Sequence, residues 1–162
     1  MVERGARLSH VDARGKARMV DVGLKPSTRR EAIAAGRVYL GPRAFRQVKR
    51  NVVSKGDVLG VARVAGILAA KRASEWIPLC HPVPLELVDV DFRLEPGKRS
   101  VAITARAAAR WSTGVEMEAL TAVSAAALVI YDMCKGVDRS IRIGDLRLLL
   151  KRGGRSGEYR AR

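Results

Sequence analysis

From Val88 to Leu94 every second residue is apolar, and the residues between are Asp89, Asp91 and Arg93. A strict two-residue period of this kind suits a β-strand with one wet face. Pro96-Gly97 then turns the chain, and Val101, Ile103 and Ala105 alternate with Thr104 and Arg106 as a hairpin partner. Two long apolar stretches flank this hairpin. Val58 to Ala70 carries Arg63 as its only charge, with Asp57 a fair N-cap, and predicts a helix buried nearly all round. The second helix runs from Thr113-Gly-Val-Glu116, read as a capping box, to about Lys135, and its alanines allow close packing against a sheet or a second subunit. Arg29 to Leu40 is ambiguous, since its alanines favour helix and Val38-Tyr39-Leu40 favours strand. Pro42 suits the first turn of a short helix over Arg43 to Arg50. Ile141 and Ile143 give way to Leu146, Leu148 and Leu150, a phase flip at Gly144-Asp145 that predicts a β-bulge. Taking Arg29–Leu40 as strand gives β-α-β-β-α-β. That order is an α+β, ferredoxin-like fold: an antiparallel sheet with helices on one face. Met19 to Val22 is read as a further short strand, residues 1–18 as a flexible arm and 19–162 as one ferredoxin-like domain.

Several stretches carry chemistry. Ile77 to Leu85 holds three of the six prolines and stiffens a loop presenting Cys80 and His81. The bland alternative is a stiff turn with a packed histidine. Lys55 stands just before the first long helix, and an ordinary exposed lysine would look the same. Glu116 has a capping task, which leaves Glu118, on a different helix face, less explained. Asp132 lies at a helix C-terminus, where the dipole disfavours an acid. Lys135, three residues on, can meet it as an ion pair. Lys151 to Gly157 is a glycine-rich basic tail whose free N–H groups and cations suit phosphate oxygens. No Walker loop, GxGxxG or spaced zinc set occurs in the sequence.

The net charge of +15 points to an anionic partner, whether nucleic acid, membrane surface or a phosphorylated small molecule, and charge alone does not choose among these or set them apart from a general arginine bias. Cys80 and Cys134, far apart and outside any CxxC pair, suit a reducing, cytoplasmic home. No signal peptide is read after Met1, and the uncharged run Ala119 to Tyr131 is too short to span a bilayer, so no membrane role is expected.

Taken together, Met19-Val-Asp-Val22, Lys55-Gly-Asp57, Ala70-Lys-Arg72, Ile77-Pro-Leu-Cys-His-Pro82, Gly114-Val-Glu-Met-Glu-Ala-Leu-Thr121, Tyr131-Asp-Met-Cys-Lys135 and Lys151-Arg-Gly-Gly-Arg-Ser-Gly157 resemble the cyclic pyranopterin monophosphate synthase family (MoaC) of molybdenum cofactor biosynthesis. The resemblance runs from about Leu8 to Tyr159. It implies a lyase that converts 3′,8-cyclo-7,8-dihydro-GTP to cyclic pyranopterin monophosphate and releases pyrophosphate. It further implies a homohexamer, a trimer of dimers, with sites at dimer interfaces. By motif position, Asp132, Lys55 and Lys135 match the catalytic residues. Leu79, Cys80 and His81 match one substrate-binding stretch, and Met117 with Glu118 another. Glu116 is expected to line the site, and Arg30 and Lys151 to meet the phosphates. No cofactor is expected to be required, with Mg²⁺ at the phosphates left open because no carboxylate cage is visible. Proton shuffling calls for His or a lysine of lowered pKa. Departures from the family pattern lie mainly in the N-terminal arm and in Gly41 to Ser54, which is basic here, and one small substrate does not explain the chain's overall excess of positive charge.

The main rival is a ferredoxin-like RNA- or polyanion-binding module. Aromatics are only 4% and no RNP-like pattern occurs, so nucleic acid is not the expected partner. A degenerate, purely structural oligomer is the second rival, and the joint presence of Lys55, His81, Asp132 and Lys135 argues against it.

Overall fold

Five antiparallel strands order as β2-β3-β1-β4-β5, built from β1 (Thr28–Tyr39), β2 (Leu87–Glu95), β3 (Ser100–Trp111), β4 (Arg142–Arg152) and β5 (Tyr159–Arg160). Four helices accompany them: α1 (Pro42–Arg50), α2 (Val58–Lys71), α3 (Ala73–Trp76) and α4 (Glu116–Cys134). This computed structural model describes residue 11 and residues 14–154 and 157–162. The first four strands with α2 and α4 make the expected ferredoxin-like arrangement, and β5 adds an edge. Arg29–Leu40 is strand because it is the centre of the sheet: β1 pairs with β3 from Thr28↔Trp111 to Tyr39↔Ser100, and with β4 on its other side. Two partners satisfy both rows of backbone groups, which outweighs the helix preference of alanine.

Alternate residues of the central strands, Ala32, Ala34 and Val38 on β1 and Val101, Ile103 and Ala105 on β3, are buried under α4. Ile103 and Ile130 are fully buried and each contributes roughly 1.5–3 kcal/mol of burial. Small residues set the layer spacing. A Cβ on Gly36 would lie 2.8 Å from Val123 Cγ1, and one on Gly66 would lie 2.9 Å from the Ala122 carbonyl oxygen, so β1 and α2 both press on α4 at a glycine. The phase flip in β4 is a bulge. Asp145 and Leu146 together oppose Gly36, Asp145 has φ +56°, and its carboxylate accepts from Tyr39 Oη (2.6 Å) and Arg37 (2.8 Å). A second shift leaves Leu149 as an extra residue.

Four expectations change. Met19–Val22 is not strand, because Asp21 Oδ1 accepts from the Gly23 N–H (2.8 Å) and the Lys25 N–H donates to the Val22 carbonyl (3.0 Å), which closes a turn. The capping box does not form. α4 begins at Glu116 with Val115 as an uncapped N-cap, and Glu116 is held by Lys151 instead. α2 is not buried all round, since Val61, Val64 and Leu68 are 48%, 66% and 48% exposed. Lys151 and Arg152 belong to β4, and the chain returns as β5, with Glu158 paired to Arg152 and Arg160. The Arg155 and Ser156 part of the basic tail, and most of the expected arm, lie outside the described residues; within the arm, Val11 bridges Ala17. α4 is long and apolar enough by length and composition to cross a membrane, but 61% of it is buried on the sheet and α2, as a core helix is.

Candidate active site

Asp132 and Lys135 share one face at the C-terminal end of α4, with Lys135 Nζ 2.7 Å from Asp132 Oδ1. Lys55 arrives from far away in sequence. A tight turn, with the Gly56 N–H donating to the Val53 carbonyl (2.9 Å) and Gly56 at φ +95°, precedes α2 and aims Lys55 across. Its Nζ donates to the Asp132 carbonyl (2.9 Å) and to Asp132 Oδ2 (3.0 Å). Asp57 fixes the start of α2 by accepting from the Gly60 N–H (3.0 Å). The hydrogen bond from Lys135, then that from Lys55, holds the Asp132 carboxyl below the usual carboxylate range, and Asp132 in turn raises Lys135. Lys135 is therefore favoured as a cation in this pair.

A different group gathers at the opposite end of α4. A cleft of about 560 Å³ is lined by Leu79, Cys80 and His81 from the proline loop, Thr113 and Gly114, Glu116 and Met117 from the first turn of α4, and Lys151 from β4. Lys151 Nζ lies 3.1 Å from Glu116 Oε1 across it. The proline loop is pinned by the Cys80 N–H donating to the Ile77 carbonyl (2.9 Å). Behind the wall, Glu118 is only 2% exposed, and its Oε2 has no hydrogen-bond partner among the described residues. Burial pushes the Glu118 carboxyl up. Cys80 Sγ lies 3.7 Å from Glu118 Oε1, and burial, then the Glu118 charge, pushes its thiol up to about 11. Cys80 is thus a packed thiol rather than a nucleophile.

Thr113 and Gly114 also wall a second cleft of about 470 Å³, shared with Lys25, Thr28, Arg30, Ser112 and Gly154. Arg30 donates to the Trp111 carbonyl (3.1 Å) and the Ser112 carbonyl (3.3 Å). Gly153 and Gly154 have φ of +92° and +78°, and a Cβ on Gly154 would run into the Arg30 guanidinium. The glycine pair therefore leaves room for that side chain. Lys25, Thr28 and Thr113 line this cleft without having been singled out from the sequence as site residues. Three cations around a pair of clefts sharing one wall suit a ring system carrying several phosphates.

The two groups do not meet within one chain. Glu116 and Asp132 are separated by about 24 Å of helix at ~1.5 Å per residue. Leu79, Cys80, His81, Glu116, Met117 and Lys151 line one cleft, Arg30 its neighbour, and Glu118 stands behind the wall. Lys55, Asp132 and Lys135 form the remote cluster. Among the described residues no three His, Cys, Asp or Glu side chains gather as a metal-binding group.

Fold and clefts define an α+β protein of ferredoxin-like topology that holds cations around space for an anionic small molecule. The sequence model of the MoaC family matches residues 19–154. The chain is 56% identical over 152 residues to the cyclic pyranopterin monophosphate synthase of Heliobacterium modesticaldum, covering 94% of this chain and 96% of that protein. It is 56% identical over 155 residues to the synthase of Thermomicrobium roseum, covering 96% and 93%. It is 54% identical over 159 residues to that of Chloroflexus aurantiacus, covering 98% of each. The chain belongs to the MoaC family, a family of molybdenum cofactor biosynthesis enzymes.

Proposed function

We propose that this chain converts 3′,8-cyclo-7,8-dihydro-GTP to cyclic pyranopterin monophosphate and pyrophosphate, in the cytoplasm, as a homohexamer built as a trimer of dimers. The observation that carries the reading is the pair of clefts joined at Thr113-Gly114, with Lys25 and Arg30 on one side and His81 and Lys151 on the other. The guanine-derived rings take the larger cleft beside His81 and Met117, with Glu118 behind it. The phosphates lie toward Arg30, Lys25 and Lys151. Closing the cyclic phosphate means that a hydroxyl oxygen attacks the α-phosphorus and gives up its proton. The bridging P–O bond to the β-phosphate breaks in the same step. Cations fixed around the leaving pyrophosphate stabilise the charge that develops on it.

Lys55, Asp132 and Lys135 are the proton carriers in this reading. Asp132 Oδ1 is 2.7 Å from Lys135 Nζ and its Oδ2 is 3.0 Å from Lys55 Nζ, so a proton can pass among the three. A substrate in the clefts cannot reach its own chain's cluster about 24 Å along α4. The cluster is therefore supplied by a neighbouring copy, and each site is shared by two chains. The exposed stripe Val61, Val64 and Leu68, three and four residues apart on α2, supports burial against another copy. The reading assigns no resident cofactor, and turnover with and without EDTA decides whether Mg²⁺ joins the phosphates.

The test is an assay with the cyclo-dihydro-GTP substrate, following pyrophosphate release and pterin fluorescence, run on the wild type and on Asp132→Asn. Turnover by the wild type with loss in the variant supports the reading. An inert wild-type oligomer would sink it.

A further inference from the structure

Helix α1 carries a charge that neither the fold nor the proposed chemistry uses. Ala44, Phe45 and Val48 are buried, while Arg43, Arg46, Lys49 and Arg50 are exposed. The helix contains no acid, and among the described residues none of these four cations makes an ion pair. On the sheet the cations are mixed: Arg37 pairs with Glu95, Arg106 with Glu31 and Arg152 with Glu158, whereas Arg29, Arg110 and Arg147 make no ion pair among the described residues, but there they are dispersed over three strands rather than grouped on one short helix. Arg46 stands three residues from Arg43 and Lys49 and four from Arg50, spacings at which like charges destabilise a helix. Lys49 and Arg50 suit the negative end of the dipole, but Arg43 sits at the positive end. The charge is concentrated here against local helix stability.

Both ends of α1 are tied to the neighbourhood of the Lys55–Asp132–Lys135 cluster. At its start, the Gly41 N–H donates to Asp138 Oδ2 (2.5 Å), and Asp138 follows Lys135 closely at the end of α4. At its end, Arg50 is followed within five residues by Lys55, whose Nζ rests on Asp132. Five residues reach at most about 18 Å, so Arg50 lies within that distance of Lys55 along the chain, while the Gly41–Asp138 bond brings the start of α1 to the residues just after Lys135.

We infer that α1 is an electrostatic collar, a surface whose four unpaired cations draw the polyphosphate of the substrate toward the Lys55–Asp132–Lys135 end and lower its KM without entering the chemistry. The inference rests on the proposed reaction for the identity of the anion. A row of like charge beside a site raises the local concentration of its counter-ion, and salt removes the effect over a Debye length of about 8 Å at physiological ionic strength. A small polyanion fits better than nucleic acid. The patch is about 13 Å long at ~1.5 Å per residue and abuts a candidate site, rather than tracking a backbone across the surface.

The test compares three proteins at low and high ionic strength. They are the wild type, an α1 variant (Arg43→Gln, Arg46→Gln, Lys49→Gln, Arg50→Gln), and a control that loses as many exposed charges elsewhere (Lys98→Gln, Arg110→Gln, Arg147→Gln, Arg162→Gln). Circular dichroism and sedimentation establish that all three fold and assemble alike. The expected result is a KM raised at least ~5-fold in the α1 variant alone at about 0.01 M salt, with kcat unchanged and the difference gone at about 0.5 M. Equal KM values at low salt overturn the collar, and so does an equal rise in the control, which would mean net charge rather than place. Duplex DNA retained by the wild type and lost by the α1 variant, with KM unchanged, overturns it in favour of nucleic acid. A wild type without turnover is the failure of the proposed reaction, not of the collar. Binding of inorganic tripolyphosphate to the same proteins then decides: weaker binding by the α1 variant alone supports the collar, and equal binding overturns it.

Discussion

Lys55 Nζ holds Asp132 twice, through its backbone carbonyl at 2.9 Å and its carboxylate at 3.0 Å, and so ties the turn before α2 to the last turn of α4. Both side chains are about half exposed, and Lys135 completes the group from the same helix. Exposed pairs of this kind contribute little to stability, because water screens them and ordering two long side chains offsets the attraction. The arrangement is better explained by function than by folding.

Lys55→Ala and Asp132→Asn are each expected to lower turnover by at least ~10² while leaving the melting temperature nearly unchanged. Steady-state kinetics and a thermal melt on the same preparations check this. Near wild-type turnover in either variant would remove that residue from the chemistry.

The buried Glu118 predicts a pH dependence of stability. Burial raises its folded-state pKa above the unfolded value, so the neutral carboxyl is favoured in the fold. Stability associated with the neutral form is complete below the unfolded pKa and is lost as pH rises toward the folded pKa. Glu118→Gln removes this loss. Melts from pH 4 to pH 8 are expected to give a variant that gains on the wild type as pH rises, and parallel curves would contradict the assignment.

Gly154 makes room for Arg30, and an alanine there meets both the positive φ of +78° and the guanidinium. Gly154→Ala is expected to raise KM for the triphosphate about tenfold, the worth of a charge-assisted hydrogen bond, with a smaller effect on kcat. A kcat loss at unchanged KM would contradict a phosphate-side role.

Val64, the most exposed of the three apolar residues on α2, is expected to be covered in the assembly. Val64→Glu should shift sedimentation to smaller species and reduce turnover with them. An intact, active oligomer would show that another surface carries the contact.

Much of the fold is legible because it rests on local periodicity. The alternation at Val88–Leu94, the hairpin with Val101–Ala105 and the bulge at Gly144-Asp145 all appear where the period predicts them. The Asp132–Lys135 pair is likewise a spacing rule made visible. What the sequence hides is set by competition over distance. Thr113 looks like an N-cap, yet Lys151, from the far strand β4, takes Glu116 and the helix starts uncapped. Hydropathy alone makes α2 a buried helix, because an exposed apolar face reads the same as a core face. Lys25 enters the second cleft only after the chain has folded beside Arg30, and nothing in the local pattern of Lys25-Pro26 marks it. The opposite placement of the cleft and the cluster on α4 follows from helix length, but only once both are assigned to one site.

The shared site is tested most directly by mixing two impaired proteins, assayed at a substrate concentration where neither turns over appreciably alone. Asp132→Asn keeps its clefts and loses the cluster; Lys151→Gln keeps the cluster and loses a phosphate cation. Unfolded together in equal amounts and reassembled, they should form mixed dimers in which one site has an intact cleft from one chain and an intact cluster from the other. Turnover is then expected to recover to about a quarter of the wild-type value, as random pairing in a two-fold dimer requires. Mixed oligomers that stay as inactive as their parents would contradict a site shared between two chains.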